Sequence, residues 1–243
     1  MFKKMLCGGL LGLAALSASS VQAADVTLMP VNVRLDRSND RATVQVMNNG
    51  TEAVVMQAEA ISWQRVDGVD RDGPTSDVIV NPPVFTVQPG QTQIVRVGLR
   101  RGQELEREAT YRMVLREVPT PLAAGTPKVS GSVRVLVALR VPIYVAPAKV
   151  QRSEAWQLQR DSGGHLVASV SNTGNVHLKV AELRVQGTGT EGYAIEQGGP
   201  QSVIFPGEQR SFRLKKIEPA ETRTVTVQIR TDQGVQQLAF NER

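Results

Sequence analysis

Between Ser132 and Pro147 the chain reads SVRVLVALRVPIYVAP, and every odd position from Val133 to Val145 is apolar. These positions are Val133, Val135, Val137, Leu139, Val141, Ile143 and Val145; the even ones mix Arg134 and Arg140 with Leu136 and Ala138. Side chains alternate across an extended chain, so the spacing predicts a strand over Ser132–Val145 carrying one continuous apolar ridge. Strands of globular domains run about 5–6 residues. A ridge this long either fills the middle of a large core or reaches past it to another molecule.

Lys3 and Lys4 precede the apolar run Met5–Ala15 and a small-residue stretch ending Val21-Gln22-Ala23-Ala24. This predicts a signal peptide over residues 1–23, cut after Ala23, and an exported mature chain. The run is too short to span a bilayer. The single Cys7 lies inside this leader, so the mature chain has neither disulfides nor thiol chemistry. Without Lys3 and Lys4, 26 basic residues face 23 acidic ones. That mild excess, with 4% aromatics and no basic–aromatic interleaving, argues against nucleic-acid binding.

Alternating β-branched runs recur along the chain, among them Ala42–Met47, Val54–Ile61, Thr92–Leu99, Tyr111–Val118, Leu166–Ser171, Leu178–Val185 and Thr222–Arg230. Only the short Gln103–Ala109 has helical character. Many short strands with Gly, Pro and Asn between them predict an all-β sandwich. Two sets are present, divided at Val145–Arg152, and each holds a strand–turn–strand phrase: VMNNGTEAVVMQ at Val46–Gln57 and VSNTGNVHLKV at Val170–Val180. The reading is residues 24–147 and 148–243 as two related sandwich domains.

Chemical motifs are weak throughout. Gly187–Gly192 (GTGTEG) fits a dinucleotide pattern by letter, but no helix follows to present N–H groups to phosphate, so it reads as a hairpin loop. Asp67, Asp70 and Asp72 with Gly73 lack EF-hand spacing and its bidentate glutamate, and read as a solvated loop. His165 and His177 are the only histidines, too few for a metal centre without further ligands, and read as surface or sheet residues. No GxSxG elbow or marked triad occurs. The chain is read as no enzyme, with no cofactor and no metal.

One set of segments is distinctive in its order. It comprises Trp63, the stretch NPPVFTVQPGQTQIVRVGLR from Asn81, Arg107–Tyr111 leading to Leu115–Pro119, the long strand ending at Pro147, and Asn172–His177. Together they resemble the PapD-like periplasmic chaperones of chaperone–usher pilus assembly, over essentially the whole mature chain. The segments DRATVQVMNNG and SWQRVDG are most similar to the archaic (sigma-type) branch. The resemblance implies two immunoglobulin-like β-sandwich domains set at an angle with a cleft between them. It also implies a periplasmic location, pilus or fimbrial subunits as partners, and delivery to an outer-membrane usher. A second copy of the chain is a candidate cap for the exposed strand when no subunit is bound. In this family the long strand completes a subunit that lacks one; here Val133, Val135, Val137 and Leu139 would enter its groove.

Many members hold the subunit's C-terminal carboxylate with an arginine on the first strand and a lysine on the long strand. The matching places are Asn32 and Pro142, neither of which is a cation. Arg140 and Arg116, with Arg34 third, are substitutes able to grip a carboxylate through paired N–H bonds. The resemblance also implies an interdomain ion-pair network of Arg96, Glu108 and Asp232. The alternative function is a pilin- or adhesin-type structural protein, which would carry its own donor peptide at the mature N-terminus.

Overall fold

A computed structural model describes residues 25–100, 104–119, 135–186, 192–193, 202–216 and 224–241. Val133 and most of the GTGTEG loop lie outside these residues. The described chain is nearly all strand, and residues 104–108 form an irregular loop rather than the helix suggested for Gln103–Ala109.

The first half supplies β1 (Val26–Met29), β2 (Val33–Leu35), β3 (Arg41–Asn48), β4 (Val54–Val66), β5 (Val69–Pro74), β6 (Val78–Asn81), β7 (Val84–Val87), β8 (Thr92–Leu99), β9 (Ala109–Glu117) and β10 (Ala138–Val145). They form one sheet in the order β1-β3-β8-β6 and a second in the order β2-β10-β9-β4-β5, with β7 also on β4. Alternation decides which side chains meet between the sheets. Val44, Val46, Val95 and Val97 point inward from the first sheet and pack with Met56, Met113, Leu115 and Ile143 of the second. The second half supplies β11 (Glu154–Arg160), β12 (His165–Asn172), β13 (Leu178–Gln186), β14 (Gly192–Tyr193), β15 (Val203–Ile204), β16 (Gln209–Lys216), β17 (Thr224–Thr231) and β18 (Gly234–Asn241). Here β11-β12-β16 face β14-β13-β17-β18, with β15 on β13, around a core of its own that includes Leu166, Leu178, Leu183 and Ile229. The fold is two immunoglobulin-like β-sandwiches.

The repeated sequence phrase has a structural counterpart. Asn48 and Asn172 are both buried, and each donates from its amide to a carbonyl four residues on (Glu52 at 2.7 Å, Val176 at 2.9 Å) and to a strand carbonyl (Val87 at 3.0 Å, Ile204 at 2.9 Å). Each Oδ1 accepts the N–H of the glycine two residues later, Gly50 at 2.9 Å and Gly174 at 3.1 Å. An asparagine offers donors and an acceptor in one short side chain, which is what a buried turn needs to leave no backbone group unpaired.

Two local features shape the cleft between the domains. At Pro30, which has no N–H to donate, the chain leaves β1 in one sheet and enters β2 in the other. At the β4–β5 hairpin, Asp67 (φ 52°) and Gly68 (φ 75°) form a two-residue turn with both central φ angles positive, the turn that matches strand twist. It lays Asp70 beside Arg65 and Asp72 beside Trp63. The predicted solvated loop is therefore a regular hairpin.

Candidate functional site: an open strand edge leading to a charged cleft

β10 is antiparallel to β9 along its whole length, from Ala138 opposite Arg116 to Val145 opposite Ala109. On its other side β2 runs parallel and covers only Ile143–Val145. Because the chain before Val33 belongs to the opposite sheet, the β2 side of Ala138–Pro142 carries no strand among the described residues. The predicted strand over Ser132–Val145 is shorter as described: it begins at Ala138, with Val135 in an isolated bridge. Beyond Ala138, Glu117 N–H still donates to the Val137 carbonyl (2.9 Å), while Val137 N–H donates to the Glu117 carboxylate (3.2 Å).

The apolar ridge changes character along this edge. Ile143 and Val141 are 0% and 2% exposed and belong to the domain's own core. Leu139 is partly buried against that core, Val137 is half-buried, and Val135 is 45% exposed. An apolar ridge beside an unpaired strand edge is a template for a further strand.

The open lane ends at a cleft of about 540 Å³ between the domains, lined by Asn32, Pro142 and Tyr144 from the first and by His177 and Lys179 from the second. Its central cation is Arg112, which faces Pro142 across the ladder. The Arg112 side chain is 10% exposed and stacks over Trp63 at 3.9 Å. It donates to Asp72 Oδ1 at 2.8 Å and to Asp70 Oδ2 at 2.5 Å. Partial burial raises the Asp70 carboxyl, but hydrogen bonds from Arg112 and Arg65 outweigh it and hold the group below its ordinary value. Arg140 lines the cleft and pairs with Asp72. Arg34 also lines it, exposed, whereas Arg116 lies opposite Ala138 and pairs with Glu59. Reading the sequence missed Arg112. Its signal, Arg112-Val114-Arg116 alternating with core residues, shows which face it occupies but not which strands flank it.

The joint between the domains also differs from expectation. Arg96 lies on β8 opposite Thr43, in the sheet across the core, and no ion pair joins it to Glu108 or Asp232. Asp232 accepts the Lys179 N–H at 2.9 Å within the second domain. Of these three residues, Glu108 is the one that crosses: its carboxylate accepts the His177 N–H at 2.8 Å and lies 2.7 Å from His177 Nδ1. The His177 ring, expected on the surface or in a sheet, is buried just ahead of β13 and stacks on Tyr144 at 3.9 Å. Burial, then the Glu108 charge, pushes the Tyr144 hydroxyl up to about 12. A second bridge is Arg65, almost fully buried, which donates to the Val203 carbonyl (2.8 Å) and Glu208 (3.1 Å) over the Phe205 ring. Trp63, Tyr144, Val203 and Phe205 close a small apolar cluster between the domains. Among the described residues no three His, Cys, Asp or Glu side chains converge as a metal site.

Residues 25–151 match the family of pili and flagellar-assembly chaperones defined by the PapD N-terminal domain. No curated protein matches the chain in sequence. Solved structures share its fold. The E. coli chaperone DraB superposes with a TM-score of 0.59 at 21% identity, covering 92% of this chain and 99% of that one. A chain of the Salmonella enterica SafA pilin–SafB chaperone complex gives 0.60 at 16%, covering 92% and 99%. A chain of the CsuC–CsuE chaperone–tip adhesion subunit pre-assembly complex, from archaic Csu pili of Acinetobacter baumannii, gives 0.57 at 14%, covering 89% and 97%. The family match over more than half its length, on two sandwiches of this kind, shows that the chain belongs to the PapD-like pilus-assembly chaperones.

Proposed function

We propose that this chain is a non-catalytic periplasmic chaperone that captures pilus subunits by lending them the free edge of β10 and then delivers them to an outer-membrane usher. The observation that carries the reading is the split ridge: one strand serves its own core through Val141, Ile143 and Val145 and offers Val135, Val137 and Leu139 along an edge whose Ala138–Pro142 stretch carries no second neighbour among the described residues. Val133 continues the same alternation. Burying four such side chains in a subunit's groove contributes roughly 6–12 kcal/mol gross, at about 1.5–3 each. Association and ordering offset much of that. Solved chains of this fold occur with a pilin in SafA–SafB and with a tip subunit in CsuC–CsuE, which supports subunits as the guests.

The geometry also suggests why a guest would present its C-terminus. A strand entering parallel to β10 shares the lane of β2, and that lane is occupied from Val33 onward. The guest strand must therefore end near Asn32 and Pro142. There its terminal carboxylate meets Arg112, Arg140, Arg34 and Lys179. We assign the anchor to Arg112 and Arg140, assisted by Arg34, with Arg116 too far along the lane to share it. Usher delivery rests on family membership, and placement in the archaic branch on the DRATVQVMNNG and SWQRVDG segments. The pilin alternative is disfavoured because Val26–Met29, which would be its donor peptide, is already paired with β3 in this chain's own sheet.

Co-expression with the subunit encoded beside the chaperone tests the proposal. A stoichiometric soluble complex is expected, and Val135→Asp with Val137→Asp should abolish it while the free protein stays folded. A double variant that still protects the subunit would rule out strand lending.

A further inference from the structure

The cleft arginines are already engaged in the free molecule, and by a carboxylate. Asp72 divides its two oxygens between them: Oδ1 accepts from Arg112 at 2.8 Å, and Oδ2 accepts from Arg140. Asp70 is committed differently, with one oxygen on Arg65 and the other on Arg112. Arg34 and Lys179, in the same cleft, have no carboxylate partner among the described residues.

We propose that Asp72 is an internal stand-in for the guest's terminal carboxylate, and so sets which guests are held. This inference rests on the carboxylate-anchor reading above. Arg112 is fixed from below by Trp63 and Asp70, so it stays aimed into the cleft whatever Asp72 does. The Arg140 side chain is 53% exposed, and its pair with Asp72 is the weaker link, because solvent screens such pairs strongly. An arriving carboxylate takes Arg140 first and then competes for the outer nitrogen of Arg112. A guest that fills the lane and brings its charge to the end displaces Asp72. A short or amidated strand does not.

The test uses the mature chaperone, with N-acetylvaline as a minimal chain-terminal carboxylate and N-acetylvalinamide as its neutral twin. Binding is followed by NMR through the arginine Nε–H and Trp63 indole signals. Asp72→Asn should bind the acid about fivefold tighter than wild type, the loss of one exposed ion-pair competitor. The amide should bind neither protein. Asp72→Ser repeats the measurement on a second background. Asp67→Asn, at the hairpin turn, changes the net charge equally without facing the arginines and should behave as wild type. If wild type and both Asp72 variants bind the acid equally, or the variants bind it more weakly, Asp72 is no competitor and the inference fails while the anchor stands. If acid and amide are indistinguishable on every protein, the anchor reading itself falls, and this inference with it.

Discussion

Pro142 of β10 stands opposite Arg112 of β9, so the cleft's central guanidinium lies one strand away from the place that the resemblance matches to a lysine and that here holds a proline. The face is kept and the strand is exchanged. Replacing Arg112 by Gln should weaken capture of a full-length subunit about tenfold or more, the scale of one charge-assisted hydrogen bond. A subunit lacking its last residues should be affected little. Pull-down titration of both subunits checks this, and equal loss for the two would remove Arg112 from the anchor.

The ridge should respond to mutation according to position. Ile143→Ala empties a fully buried site and is expected to destabilise the free protein by about 2–5 kcal/mol. Val135→Ala, on the same ridge but exposed, should change stability by less than about 0.5 kcal/mol while weakening capture. Urea unfolding of the free chaperone beside a capture assay separates the two halves.

Acid should weaken the hairpin side of the cleft through Asp70. Its folded-state pKa lies below the ordinary 3.8, so its ion pairs contribute stability above about pH 4, and that contribution is lost as pH falls through the folded value. The melting-temperature gap between wild type and Asp70→Asn should be widest near neutrality and shrink below pH 4. A gap independent of pH would assign the effect to packing.

The Glu108–His177 pair should govern how firmly the two domains are held. His177→Ala leaves a buried carboxylate with one backbone donor, the N–H of residue 177, and removes the ring stacked on Tyr144. A loss of about 1–3 kcal/mol is expected, together with a broader distribution of domain orientations. Thermal melts and small-angle scattering read the two effects, and His177→Gln should restore part of the first.

The two asparagine turns should differ in their tolerance at the following glycine. A Cβ on Gly174 would come within 2.5 Å of the Gln151 carbonyl and 2.9 Å of the Ser153 nitrogen, both backbone atoms of the interdomain linker region. Gly174→Ala is therefore expected to cost about 1–3 kcal/mol. At Gly50 the nearest atom is the Asn48 side-chain oxygen at 3.1 Å, which can shift, so Gly50→Ala should be milder. Paired denaturation curves decide between them.

Much of this was legible along the chain. Period-2 alternation at Val44–Val46, Val95–Val97 and Val141–Val145 identifies strands and their inner faces, because adjacent side chains must point to opposite sides. The twin phrases at Val46 and Val170 mark two related sandwiches. Family resemblance supplied the long strand's role, which alternation alone leaves open.

Other relationships arose only when the sheets assembled. Alternation shows that Arg112 and Arg140 point away from the core, but only the registers of β10 on β9, of β9 on β4 and of β4 on β5 bring both to Asp72. It marks Arg96 as outward too, yet β8 belongs to the other sheet, so its charge faces away from the cleft. Likewise the ridge from Val135 to Val145 is uniform as text. Its division into core and free edge follows from where β2 begins, three residues after the chain crosses at Pro30. Side-chain direction is a local property of each strand, whereas neighbours are set by pairings between segments tens of residues apart.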